Sequence, residues 1–191
     1  MYSVALVAAL IAAIASSAEL QTLRERVRKQ GNVDVVELLE YAPTTLPELA
    51  TRAGSIIEGR IGACLSSLTA DERSVHTDCT VQVVRVFKGA AVQTMTLRRP
   101  GGVISLEGRT VHVASNGSPD LNANETYIVF LQYDSASRTY SILFGPQGTL
   151  RVENDTVVQE PDSGPDEQVA AMSIDEFRKA VLDLIAQRRQ Q

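Results

Sequence analysis

The segment that most constrains the fold is residues 55–99, because its pattern is typical of three consecutive β-strands. Between residues 57 and 65 every second residue is apolar or small, which gives a strand one dry face. Residues 80–87 are rich in Val, Thr and Phe, which favour strands, and their alternation slips at Val83 and Val84. That slip indicates either burial on both faces of the strand or a β-bulge. A third strand then leads into a Pro-Gly-Gly turn.

Further short strands, separated by turns, are predicted after this segment. They cover residues 109–113, 127–133, 139–144, 149–153 and 156–159, and the last two form a hairpin. Residues 103–125 are otherwise predicted to be loop, since they are rich in Asn, Ser, Gly, Pro and Asp. Short strands without alternating helices predict a mainly β fold with flanking helices, in which the strands form a small antiparallel OB-like barrel.

The N-terminal part is predicted to be helical. Apolar residues recur at helical spacing before Gly31, which is placed to end a first helix. Asn32 is placed to cap a second short helix, which Pro43 closes. The predicted apolar face of this second helix consists of Val33, Val36 and Leu39.

Two capping boxes predict further helix starts, because in each a hydroxyl and a carboxylate three residues later satisfy free backbone N–H groups. Thr45 with Glu48 opens a short helix before the first strand, and Ser173 with Glu176 opens a C-terminal amphipathic helix. The apolar stripe of that helix either packs on the barrel or forms a partner-binding face. The predicted organisation is a signal peptide over residues 1–18, an N-terminal helical segment over 19–45, an OB-like β-barrel domain over 46–159, an acidic linker over 160–172 and a C-terminal helix over 173–191.

The first residues predict export. Residues 2–18 carry no charged side chain, and their apolar run is shorter than the roughly 20 residues that a spanning helix needs. Small residues at the end of the run predict cleavage between Ala18 and Glu19. The mature chain is then periplasmic or secreted and has no stable membrane span. The alternative is an uncleaved anchor formed by residues 2–18, because basic side chains follow the apolar run and none precedes it.

Cys64 and Cys79 are the two cysteines of the chain, and they flank a hairpin whose tip falls near residues 71–74. Symmetric pairing of that hairpin places them opposite one another, and in an exported protein this predicts a structural disulfide. Cys64 has the opposite parity to the apolar residues of its strand, which a bulge near Gly62 would reconcile. The alternative is two reduced thiols in a cytoplasmic protein.

Ser74, His76 and Asp78 alternate along one strand and suggest an envelope hydrolase as the alternative function. Nucleophilic catalysis needs the base within about 3 Å of the nucleophile. Same-face neighbours on one strand lie about 7 Å apart at their Cα atoms. We therefore interpret these residues as an exposed polar hairpin arm and predict no catalytic residue.

No metal or cofactor is predicted. Residues 120–124 resemble the first half of a calcium loop, but Glu125 and Leu131 stand where such a loop needs Gly and Glu. We interpret this segment as a turn built on Asn and Asp. His76 and His112 belong to different segments, and two histidines without further ligands do not make a zinc site.

Several short motifs fall in a familiar order. They are Leu49 with Ala50, residues 56–61, Thr77, Val83, residues 86–89, 100–102 and 125–131, and Gln147 with Gly148. Their order resembles a group of uncharacterised exported bacterial domains, similar to the netrin-like, tissue-inhibitor-of-metalloproteinase-like version of the OB-fold. The resemblance covers residues 46–152 and implies a barrel without a general enzymatic activity. The inhibitors act through an N-terminal Cys, whereas Cys64 here lies inside a strand, so that mechanism is not implied.

The sequence thus predicts an exported, non-catalytic binding or interaction module, with residues 103–125 as its variable surface. Its predicted partner is a protein or another component of the cell envelope. A net charge of −5 and the absence of basic clusters interleaved with aromatic residues argue against nucleic acid.

Overall fold

β-Strands dominate the computed structural model, which describes residues 21–159, 169 and 172–188. The helices in these ranges are α1 (Leu23–Gln30), α2 (Leu46–Arg52) and α3 (Ile174–Arg188). The strands are β1 (Val33–Glu37), β2 (Ser55–Leu68), β3 (Val75–Lys88), β4 (Thr94–Pro100), β5 (Gly102–Leu106), β6 (Arg109–Ser115), β7 (Thr126–Asp134), β8 (Thr139–Ile142), β9 (Thr149–Glu153) and β10 (Thr156–Gln159). The predicted signal peptide, with its cleavage site at Ala18 and Glu19, and most of the predicted linker lie outside the described residues.

Five strands form a partly closed barrel. β2 pairs antiparallel with β3 and with β7, and β3 pairs antiparallel with β4. β8 completes the ring, since it runs antiparallel to β7 and parallel to β4. The contact with β4 is short, because it pairs only Leu97 with Tyr140 and Arg98 with Ser141. The mainly β fold predicted from the sequence is confirmed, and the closure of the barrel is partial.

β7 shows why this barrel needs helices on its outer face. The run from Tyr127 to Leu131 is buried throughout. Tyr127, Val129 and Leu131 point into the barrel, whereas Ile128 and Phe130 pack beneath α2 and α3. Because successive side chains of a strand point to opposite faces, a continuous apolar run requires a cover on both.

α3 supplies part of that cover. Ser173 and Glu176 form the predicted capping box at its start, where each accepts a bond from the other's backbone N–H. Its side chains Phe177 and Val181 are buried against the barrel, so the apolar stripe packs on the fold. The guanidinium of Arg178 lies 2.8 Å from the buried carboxylate of Glu58 on β2. In the described ranges, no helix combines the length and the apolar composition that crossing a bilayer requires.

A second sheet has the order β1-β6-β5, and two predictions fail there. The predicted second helix is wrong, because Val33–Glu37 is a strand that runs parallel to β6. Valine favours strands, and pairing with β6 satisfies backbone groups that a short isolated helix would have to satisfy alone. The loop predicted over residues 103–125 is also partly wrong, since β5 and β6 form a hairpin. Glu107 and Gly108 both have positive φ, as a two-residue hairpin turn requires.

The second sheet shares a small core with the far end of the β2–β3 hairpin. One strand of the hairpin contributes Val75, and α1 contributes Leu23 and Val27. The sheet itself contributes Val33, Leu106, Val111 and Val113. As predicted, α1 ends at Gly31, whose φ of 85° is readily adopted by glycine.

The predicted disulfide and the predicted bulges are present in the β2–β3 pairing. Cys64 lies directly opposite Cys79, and the two are bonded. Gly62 and Ala63 together face Thr80, so an extra residue shifts the parity of β2 just before Cys64. β3 has its own bulge at Val84, where the alternation of its sequence slips. β3 has a further extra residue at Phe87, and each extra residue changes the face to which later side chains point.

Replacement of either cysteine tests the contribution of the bond. We expect Cys64→Ala and Cys79→Ala each to lower the free energy of unfolding by about 2–4 kcal/mol, because the bond restricts the unfolded chain. The double variant should cost little more than either single one, since both remove the same bond. Urea denaturation of the three variants measures this, with the reduced parent protein as control. Additive losses would contradict the prediction.

Candidate functional site

A cleft of about 590 Å³ lies between the barrel and the second sheet. It forms where the chain leaves β4 through Pro100 and Gly101 and enters β5. The hydroxyl of Thr77 donates a 2.7 Å hydrogen bond to the carbonyl of Gly101, which fixes this crossing. Gly102 packs so closely on Ser66 and Thr77 that an added Cβ would lie 2.4 Å from both hydroxyl oxygens. The cleft is therefore built on strands with a fixed separation.

Arg99 brings a positive charge into the cleft. It pairs with Thr77 across β3 and β4, so both side chains project from the same face. Its Nη1 donates to Ser118 Oγ at 3.2 Å, while its Nε is buried without a hydrogen-bond partner. Within the described part of the chain, no carboxylate lies within ion-pair distance of this half-buried guanidinium.

The opposite wall comes from the segment that was predicted to be a variable surface. It contributes His112, Val113, Ala114, Ser115, Asn116, Ser118 and Asp120. Ser115 Oγ is buried and has no hydrogen-bond partner, whereas Asn116 is held by a bond from the backbone of Leu39. His112 Nδ1 lies 3.4 Å from Asp34 Oδ1 on β1. The cleft thus combines a guanidinium that has no carboxylate partner with serine hydroxyls and, on the opposite wall, the carboxylate of Asp120.

The hydrolase alternative lacks its central contact in this geometry. Ser74 donates to the carboxylate of Glu37, and none of the described hydrogen bonds joins Ser74 to His76. Asp78 accepts two 2.7 Å bonds from Arg98, and His76 Nε2 is 3.9 Å from Asp78. Burial lowers the pKa of His76, and the positive charge of Arg98 lowers it further. A nucleophile activated by a base needs a hydrogen bond between them, and this arrangement does not supply one.

The segment that resembles half a calcium loop uses its polar atoms internally. The Tyr127 hydroxyl donates to the Glu125 carboxylate at 2.7 Å and accepts a bond from the backbone of Asn122. Burial raises the pKa of Tyr127 to about 12. Among the described residues, no three His, Cys, Asp or Glu side chains converge as metal ligands would.

Sequence reasoning located one wall of the cleft and missed Arg99. Its position next to the Pro-Gly-Gly turn marked the end of a strand, but nothing in a single strand shows that a second sheet will face it. The face to which Arg99 points follows from its pairing with Thr77. That pairing is known only once the register of β3 and β4 is known.

No protein-family model and no curated protein matches this chain. The resemblance to netrin-like domains therefore stays a prediction, and the cleft has to be interpreted from its own chemistry.

The ion pair between Asp78 and Arg98 predicts a pH dependence of stability. Hydrogen bonds from Arg98 lower the pKa of Asp78 below its ordinary value of 3.8. A carboxylate with a lowered pKa in the folded state stabilises the protein above its ordinary pKa, and the effect is lost as pH falls through the lowered value. We expect the stability advantage of the parent protein over Asp78→Asn to shrink in that acidic range. Urea denaturation at stepped pH measures it.

Arg98→Gln is the matched control, because removing the donor should abolish the same pH dependence. If the parent protein and Asp78→Asn lost the same free energy of unfolding at acidic pH, the prediction would be contradicted.

Proposed function

We propose that this chain is an exported, non-catalytic binding module that holds an anionic ligand in the cleft between the barrel and the second sheet. The observation that carries the proposal is the half-buried guanidinium of Arg99, which lacks a carboxylate partner among the described residues. A charge removed from water is costly unless it is paired. A carboxylate or phosphate group of a ligand would supply that pairing.

The donors around Arg99 suit such a group. Guanidinium presents several N–H donors in a planar fork, which matches the geometry of carboxylate and phosphate oxygens. Nε of Arg99 and the hydroxyl of Ser115 are enclosed by protein without a partner, so a ligand would meet the guanidinium at its Nη nitrogens. A volume of about 590 Å³ falls within the range of roughly 300–1,000 Å³ that is typical of ligand sites.

Rigid elements carry these groups. Arg99 lies on β4, which is paired along its length with β3, and Ser115 ends β6. The disulfide bonds Cys64, which lines the cleft, to the neighbouring strand. Binding to preorganised groups costs less ordering of the protein, and this favours a binding role for the site.

Substitution of Arg99 tests the site. With inorganic phosphate and succinate as probes, we expect saturable NMR shifts at the backbone amides of Gly101, Gly102 and Ser115. Arg99→Gln should weaken binding about tenfold or more, since a hydrogen bond to a charged group contributes about 1.5–3 kcal/mol. Arg109→Gln, an equal charge change at an exposed position of β6, is the control and should bind as the parent does. Equal losses in both variants would contradict the proposal.

Export rests on different support. Structural disulfides persist in oxidising compartments, and the Cys64–Cys79 bond is consistent with location in such a compartment. We infer that residues 1–18 direct the chain there and are then removed.

N-terminal sequencing of the protein from cell-envelope and extracellular fractions tests this inference. We expect the mature chain to begin at Glu19, because the small residues that precede it fit a cleavage site. An intact N-terminus in the membrane fraction would instead favour an anchor formed by residues 2–18.

A further inference from the structure

β2 has an edge that its neighbours cover only in part. β7 pairs with β2 along residues 55–60. At Ile61 the edge is still occupied, because its backbone bonds to Asn124 and Glu125. Beyond the bulge, no strand in the described part of the chain pairs with this edge over residues 64–68.

The backbone groups of this stretch point outward in a regular pattern. The Cα atoms of Cys64 and Cys79 are 4.0 Å apart, which is the close spacing of a non-hydrogen-bonded antiparallel pair. The N–H and C=O groups of Cys64 therefore point away from β3, and so do those of Ser66 and Leu68, because the pattern repeats every two residues. Among the described residues, none donates to or accepts from these outward groups.

The side chains of this edge do not protect it. Residues 61–68 contain no charged residue and no proline, two of the features that block strand edges, and the bulge at Gly62 and Ala63 lies before the open stretch. Leu65 is 73% exposed at the centre of the edge. An unpaired, uncharged edge with an exposed apolar side chain is a template for another strand.

A groove of about 640 Å³ runs along the edge, with β5 as its second wall. Val103 on that wall is 56% exposed, and Ile104 is half-buried. The charged group that lines the groove, Arg24, is already paired with Glu72 and Glu107. The groove therefore combines apolar side chains with serine hydroxyls, and its arginine is already paired.

We propose that this groove binds an extended segment of a partner polypeptide, which adds to β2 as an antiparallel strand beside Cys64, Ser66 and Leu68. Backbone hydrogen bonds would hold the segment, and its successive side chains, which point to opposite faces, would contact Leu65 on one face and Val103 on the other. The outward N–H and C=O groups of alternate residues select an extended polypeptide as the occupant, and pairing with a second copy of this chain is an outcome of the test. This inference does not depend on the proposed role of Arg99.

Amide hydrogen exchange tests the inference on the full chain. The probe is a short end-blocked peptide of alternating Val and Thr. We expect it to slow exchange at the amides of Cys64, Ser66 and Leu68, whereas those of Leu65 and Ser67 already point to β3 and should change little. The same peptide with alternate backbone nitrogens methylated keeps its side chains but cannot pair, and it should give no protection.

Variants separate this edge from the rest of the surface. Leu65→Lys should weaken peptide binding about tenfold or more, since lysine blocks strand edges. Val84→Lys, an exposed position of β3, is the matched control and should bind the peptide as the parent protein does. Unfolding by urea shows whether each variant is still folded.

Three results would overturn the inference. They are equal protection by the methylated peptide, equal binding by Leu65→Lys and the parent protein, and protection of the three outward amides without peptide. If these amides are protected without peptide, sedimentation identifies what covers them. A dimer would indicate a second copy, and a monomer would indicate another part of the same chain.

Discussion

The structure depends most on the bulged antiparallel pairing of β2 and β3. The half of this pairing that lies away from the hairpin turn puts Ile57, Ile61 and Val81 into the barrel core. The half next to the turn puts Val75 into the core of the second sheet. Val75, Cys79 and Val81 share one face of β3, and the extra residue before Cys64 brings the later side chains of β2 onto that same face, so one face of the pairing serves both cores. The disulfide crosses the pairing just beyond that change, where the ladder is interrupted, and joins the two strands covalently.

Burial on both faces decides how the other elements are placed. β7 pairs beside β2 and carries apolar side chains on each face, so it needs the barrel core on one side and helices on the other. The ion pair between Arg178 and Glu58 accompanies this packing, and hydrogen bonding to Glu58 raises the pKa of Arg178. Such a pair fixes the position of α3 more than it stabilises the fold, because removing two charges from water offsets much of their attraction.

Two of the places where described residues leave polar groups without a partner lie where the two sheets meet. One is the guanidinium nitrogen of Arg99, and the other is the outward backbone of Cys64, Ser66 and Leu68. At the cleft an anion can pair with the charge of Arg99, and at the edge an added strand can pair with the outward backbone groups. Their common location follows from the short crossing at Gly101, which brings the second sheet against one face of the hairpin without extending its edge.

Local sequence determined the β2–β3 hairpin, its slips of alternation, the capped helices and the pairing of Cys64 with Cys79, because each depends on residues close to one another in the chain. The strand nature of residues 33–37 could not be determined in this way. Valines at that spacing fit a short helix as well as a strand, and only pairing with β6, far along the chain, selects the strand. The cleft around Arg99 is likewise a tertiary result. A single strand fixes the face to which a side chain points, but what faces it depends on how two separate sheets pack.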